Sequence, residues 1–224
     1  MPISIHHQHP WDLSPRSAMQ VQKDLRAHIK IEPLPDDSIA TVAGIDASFG
    51  NKNIYAAVTV LDYETLETIE QAKAQQPVNF PYVPGLLSFR EAPALLSALA
   101  RLKSLPDVLI VDGHGWAHPR RFGLACHLGV LLDLPAIGCA KALLVGEVGH
   151  LEATAGSTAE IKADGEVLGL AARTRKNVKP VYVSIGHKID LLCAARIVLS
   201  CGRGYRLPEP TRQAHKMTQR IKIE

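Results

Sequence analysis

The chain has 224 residues, 46% of them hydrophobic and 21% charged, with a mean hydropathy of +0.03. That length suffices for one well-buried domain over residues 1–224, and the composition excludes a disordered chain or a fibrous repeat. A formal net charge of +3 permits nucleic-acid binding without arguing for it.

The opening MPISIHHQHPWDLSP has histidines and prolines where a secretory leader needs a charged start and an apolar run, so no export is expected. The apolar stretch LGVLLDLPAIGCAKALLVG is broken by Asp133, Pro135 and Lys141 within the ~20 residues a membrane span requires. A soluble, cytoplasmic protein without membrane contact is expected. Cys126, Cys139, Cys193 and Cys201 form no C-x-x-C pair and read as reduced packing thiols.

ATVAGIDASFG and IYAAVTVLDY, separated by NKN, predict a hairpin, with LETIEQAKAQ as a third antiparallel strand. Residues 86–103 have helical spacing, with Pro93 near the start where a proline is tolerated. DVLIVDGHG predicts a buried strand, FGLACHLGVLLD a helix and PAIGCA a further buried strand, parallel to the previous one through a right-handed crossover. Residues 142–167 fit loop, helix or an extra strand. VLGLAART and PVYVSIG read as a strand pair, and HKIDLLCAARIVLSC as a helix on the sheet. The expectation is an α/β fold, a mixed sheet flanked by helices. Basic residues gather in RTRKNVK and in a tail from about 203, where Arg203, Arg206, Arg212, Lys216, Arg220 and Lys222 face only Glu209 and Glu224. Each cluster taken alone reads as solvated surface, the second as a loose tail.

Asp46 closes the first apolar strand and Asp112 the fourth, and an acid is costly there unless a cation or hydrogen bonds compensate it. Singly, each reads as a turn or cap residue. With Glu91 on the intervening helix they form a set, since strands one and four are expected to be neighbours. Clustered carboxylates suit Mg²⁺ or Mn²⁺ and phosphodiester hydrolysis, with one ion or with two about 4 Å apart. His118, stiffened by Pro119 and flanked by Arg120 and Arg121, suits a phosphate-facing loop. Lys141 ends its strand at the same sheet edge, and a final helix would bring His215 back to the site.

The stretches VAGIDASF, PYVPGLLSFRE, PDVLIVDGHGWAHPRRFGLACHLG, PAIGCAK and YRLPEPTRQAH occur in the order found in the endonuclease V family, which this sequence closely resembles. The resemblance implies a ribonuclease H-like fold and Mg²⁺-dependent cleavage of DNA containing deoxyinosine, at the second phosphodiester bond 3′ to the lesion. It implies that Asp46, Glu91 and Asp112 form the metal-binding set, supported by His118, Lys141 and His215. Tyr82 matches the family's wedge, where Pro81 and Pro84 stiffen the loop and Gly85 turns it into the helix of Glu91; a stiff wedge loses little entropy on insertion between bases. Backbone N–H groups of PGLL and GHG are candidate donors to the hypoxanthine carbonyl, with Gly113 and Gly115 permitting close approach. The basic tail is expected to lie along the phosphate backbone. Val83 and Cys139 stand where the family usually has isoleucine and valine. Inosine-containing RNA as substrate, lesion binding without catalysis, and cleavage of RNA–DNA hybrids or branched DNA are the alternatives.

Overall fold

The computed structural model describes residues 3–221. Helix α1, Pro15–Arg26, starts where the Ser14 hydroxyl accepts from the Ser17 N–H, with Pro15 at the first helical position. Its inner stripe, Ala18, Gln22 and Leu25, is buried. This helix had no counterpart in the expectations above, although its cap and its i, i+4 spacing are visible in the sequence.

Strands β1 (Thr41–Gly50) and β2 (Asn53–Asp62) form the expected hairpin. Asn51 and Lys52 take left-handed backbone angles in the two-residue turn. Strand β3 (Thr68–Pro77) pairs antiparallel with β2 as the sheet edge. Helix α2 (Leu87–Leu99), strand β4 (Val108–Val111), helix α3 (Leu124–Leu132) and strand β5 (Ala136–Ala140) follow in the expected order. β1, β4 and β5 lie side by side and parallel.

Residues 142–167 contain two strands, β6 (Glu147–Val148) and β7 (Thr158–Ala163), which extend the sheet beyond β8 (Glu166–Ala172) and β9 (Val181–His187). The full order is β3-β2-β1-β4-β5-β9-β8-β7-β6. Helix α4 (Leu191–Ser200) is capped by Asp190, so His187 belongs to β9 and not to the helix. The basic segment is no loose tail: its second half is helix α5 (Glu209–Ile221), packed on β1 and β2. Lys222 and Glu224, counted with that segment, lie outside the described residues.

The core has two layers. Ala43, Ile45, Leu109 and Val111 meet Leu95 and Leu99 of α2 and Leu128 and Leu131 of α3. Val42, Ile110 and Ile137, on the other face, meet Ile197 and Val198 of α4. Each fully buried leucine contributes roughly 2 kcal/mol of transfer free energy. Pro93 lies inside α2, not near its start; its missing N–H removes a helical bond that Phe89 O would otherwise accept. All four thiols are free, and Cys126, Cys139 and Cys201 are buried as packing residues.

The docking of α5 is tight. A Cβ on Gly44, in mid-β1, would fall 1.9 Å from the backbone carbon of Pro210. Only glycine lets the first turn of α5 reach the sheet there, on the face that also carries Asp46 and Ser48.

Candidate active site

Parallel pairing aligns Ile45 with Val111, and the Asp112 N–H donates to Ile45 O at 3.0 Å. Asp46 and Asp112 are thereby held next to each other at the carboxyl end of β4. Helix α5 closes over them: Thr218 donates its hydroxyl to Asp46 Oδ2 at 2.6 Å, and His215 Nδ1 stands 3.1 Å from the same oxygen. Lys141, just beyond β5, forms an ion pair with Asp112 and places its ammonium 3.3 Å from His215 Nδ1. One ligand atom each from Asp46, Asp112 and His215 falls within 4.8 Å of the others.

Glu91 is 6% exposed, on the side of α2 facing this group. Burial, with the charges of Asp46 and Asp112 adding to it, pushes its carboxyl well above the usual range. Asp112 is raised to about 6, by burial first and then by Asp46, with Lys141 opposing. Three carboxyls thus face the Lys141 ammonium and, at Glu91, the Arg90 guanidinium in a desolvated corner where these cations do not offset burial, an arrangement that retains its full negative charge only when further positive charge joins it. Oxygen donors with one imidazole suit Mg²⁺ or Mn²⁺, so the residues present fit such an ion. His215 Nδ1 faces both a donor, Lys141, and an acceptor, Asp46, and a single nitrogen serves one of them at a time.

His118 is placed differently. It is 4% exposed, and burial, then Arg120, lowers it to about 4, leaving the ring neutral at pH 7. Its Nε2–H donates to Gly85 O at 3.0 Å, while Nδ1 accepts from the Arg120 N–H at 3.1 Å. Both nitrogens are used to hold the turn after the wedge, so the sequence-based grouping of His118 with the acids gives way to a place behind Gly85. Arg120 donates to the same carbonyl at 2.6 Å and to Gln22 Oε1 at 2.5 Å. Arg121 pairs with Glu166 at 2.8 Å. The two arginines expected to face phosphate are thus engaged within the protein.

Tyr82 is 74% exposed, the expected position for a wedge, and the Arg90 guanidinium lies 5.7 Å from its ring and 4.5 Å from that of Phe49. Gly85 has φ +77°, and a Cβ there would meet the Arg120 guanidinium at 2.6 Å. Behind the loop is a recess of about 190 Å³ lined by Tyr82, Gly85, Leu87, Ser88, His114 and Leu124. Leu86 caps α2 without a side-chain acceptor, and while the Phe89 N–H donates to Leu86 O at 3.1 Å, the amides of Leu87 and Ser88, which line this recess, are left uncapped. The Gly113 and Gly115 N–H groups donate to Val111 O at 2.8 Å and Ser184 Oγ at 2.9 Å, so neither is a free donor. A larger cleft of about 440 Å³, beside Trp11 and Arg90, has none of the three acids in its lining.

Two contributors were missed in the sequence. Gln22 of α1 donates to Gly85 O at 3.1 Å and Phe122 O at 2.9 Å. Thr218 is one turn beyond His215, on a helix whose amphipathic pattern carries the signal that it faces inward.

A mixed sheet with one acid within β1, one directly after the adjacent parallel strand β4 and a third on a flanking helix defines a ribonuclease H-like hydrolase. The profile of the family described as Endonuclease V matches residues 23–216. The endonuclease V of Gloeobacter violaceus is 50% identical over 219 residues, 96% of this chain and 89% of that protein. The chain therefore belongs to the endonuclease V family. The crystal structure of endonuclease V from Streptomyces avermitilis superposes with a TM-score of 0.90 at 41% identity, covering 99% of this chain and 97% of that one. Ciona intestinalis endonuclease V, in complex with a 24-mer DNA containing an inosine followed by a ribo-adenosine, superposes with a TM-score of 0.80 at 29% identity, covering 93% and 98%.

Proposed function

We propose that this protein is a divalent-metal-dependent repair endonuclease that recognises deoxyinosine in DNA and hydrolyses the second phosphodiester bond 3′ to it. The observation that carries this reading is the acid cluster of Asp46, Glu91 and Asp112, joined through α2, which carries Glu91 and, a turn earlier, the Leu87 and Ser88 that line the recess behind the exposed Tyr82. The Ciona complex supports inosine in DNA as the ligand class.

Asp46, Asp112 and Glu91 would hold Mg²⁺, with His215 at its margin. The bound ion supplies Lewis-acid polarisation of a phosphoryl oxygen and activation of a water. Lys141 holds Asp112 ionised and offers an ammonium to the scissile phosphate, while Thr218 fixes the orientation of Asp46. Hypoxanthine carries a carbonyl where adenine carries an amine. The uncapped Leu87 and Ser88 amides of α2 match the carbonyl and leave adenine with donor facing donor. Tyr82 fills the stack the base has left, and His118, Arg120 and Gln22 hold the Gly85 carbonyl that terminates the wedge turn. Free thiols accord with a cytoplasmic location.

The test uses end-labelled duplex with one deoxyinosine, a deoxyadenosine control and a matched inosine-containing RNA strand, each with Mg²⁺ and with EDTA. A Mg²⁺-dependent cut one nucleotide beyond deoxyinosine is expected. Asp46→Ala or Asp112→Ala lowers cleavage by about 10³-fold or more while lesion binding persists; turnover near wild type in either variant would sink the reading. Faster cutting of the RNA strand would favour the second reading, an inosine-directed endoribonuclease, which the ribo-adenosine in the Ciona complex recommends.

A further inference from the structure

The β6–β8 extension contains none of the residues placed so far in the site, yet one of its side chains reaches the loop that carries His118. Strands β7 and β8 are joined by a tight turn at Asp164 and Gly165, both with positive φ, and Glu166 is the first residue after it. Its two carboxylate oxygens go to different partners: Oε1 accepts the Trp116 indole N–H at 2.6 Å, and Oε2 accepts Arg121 Nε at 2.8 Å. Arg121 also donates from its guanidinium to His118 O at 3.0 Å.

Trp116 and Arg121 bracket a compact turn. The His118 N–H donates to Trp116 O at 2.7 Å, the Arg121 N–H donates to His118 O at 2.8 Å, and Arg121 is in the left-handed region at φ +54°. A non-glycine residue keeps that conformation only where its surroundings hold it. At the centre of the turn His118 and Arg120 both donate to Gly85 O, three residues beyond Tyr82. Ala117, packed with Ile161 and Leu168 of the extension, presses the same loop from below.

We propose that Glu166 is a positioning residue for lesion recognition: by clamping Trp116 and Arg121 it fixes the 116–121 turn, and through His118 and Arg120 it fixes Gly85 and the wedge. This rests on the wedge reading above and assigns a task to the β6–β8 extension. Glu166 touches neither the acids nor the recess, so its loss reaches substrate only through the position of the loop. Catalytic groups remain in place and encounter geometry suffers, which places the effect in KM and in selectivity, not in kcat.

The test compares Glu166→Ala and Glu166→Gln with Glu160→Ala, which breaks an exposed ion pair to Lys162 on the neighbouring strand. Glu166→Ala should raise KM for deoxyinosine duplex by about tenfold and narrow the inosine-over-adenosine preference several-fold, with kcat within about twofold. Glu166→Gln keeps one acceptor oxygen but turns its NH2 toward the other of the two donors, Trp116 and Arg121, so it should fall between Glu166→Ala and wild type, and Glu160→Ala matches wild type. Independently of cleavage, amide hydrogen exchange of residues 81–87 should speed up in Glu166→Ala and not in Glu160→Ala. Unchanged exchange in that loop, or a loss confined to kcat on both duplexes, overturns the inference. A wild-type protein that cuts neither duplex would instead overturn the inosine reading, and the exchange measurement would still decide the clamp.

Discussion

His118 and His215 share a side chain and differ in what their nitrogens face. The first has a carbonyl on one side and an N–H on the other, which fixes its tautomer and makes it a structural pin. The second faces an ammonium and a carboxylate through one nitrogen, leaving it free to change partner when the site is loaded. Sequence spacing cannot separate these roles, because both depend on long-range packing. The acids were legible for the opposite reason, since a carboxylate in an apolar run is conspicuous wherever it packs; Asp112 directly follows β4 as expected, whereas Asp46 does not close β1 but lies within it, because the pairing with β2 continues to Gly50. Gln22 and Thr218 stayed hidden because their value arises only when α1 and α5 dock. Tyr82 was singled out by its match to the family's wedge, since a Pro-Tyr-x-Pro loop by itself more often packs on its own protein, and its exposure makes it a clean probe. Tyr82→Ala should change stability by less than about 0.5 kcal/mol while reducing the inosine-over-adenosine cleavage ratio; thermal melting and paired cleavage rates read the two effects. An unchanged ratio would remove the wedge role.

Among the elements, hairpins and buried strands were read correctly because NKN and continuous β-branched runs are strong local signals. EATAGSTAEIKADGE was ambiguous, since β7 alternates over only six residues with Ile161 as its one large apolar side chain, and its pairing with β8 is set by the Asp164–Gly165 turn. Helix α5 was expected only as a return path for His215, its charge having suggested a loose tail. What holds it is contact at Gly44, where side-chain volume is excluded. Gly44→Ala should therefore cost at least ~2 kcal/mol, lowering Tm by roughly 4–8 °C, and should depress cleavage more than Ser48→Ala does, because His215 and Thr218 withdraw from Asp46. Calorimetry with single-turnover rates checks this; a fully active, equally stable Gly44→Ala would mean that α5 does not complete the site.

For the molecule as a whole, Asp133 is the tie between distant parts. It ends α3 in the left-handed conformation and accepts from Lys188 at 2.6 Å and from His187 Nε2 at 3.2 Å, with Lys30 at 3.8 Å. The Lys188 bond holds its carboxyl down at about 2. A carboxyl depressed in the folded state stabilises above its ordinary value near 4, and that contribution disappears as pH falls through 2. At a side chain 37% exposed, screening limits it to about 1 kcal/mol. Asp133→Asn, which keeps the left-handed cap, should be less stable than wild type at pH 7, and the gap should shrink between pH 4 and pH 2. Urea unfolding at pH 7, 4 and 3 measures it, and a gap independent of pH would contradict the ion-pair account.

Asp46 lies on the first strand of the sheet, and the groups that orient it, His215 and Thr218, lie on the last helix, 169 and 172 residues further along. During translation the strands, the wedge and the other acids all emerge before α5. The orientation of Asp46 is therefore settled only once α5 has been made and has docked on β1, so the site is among the last parts of the fold to be completed.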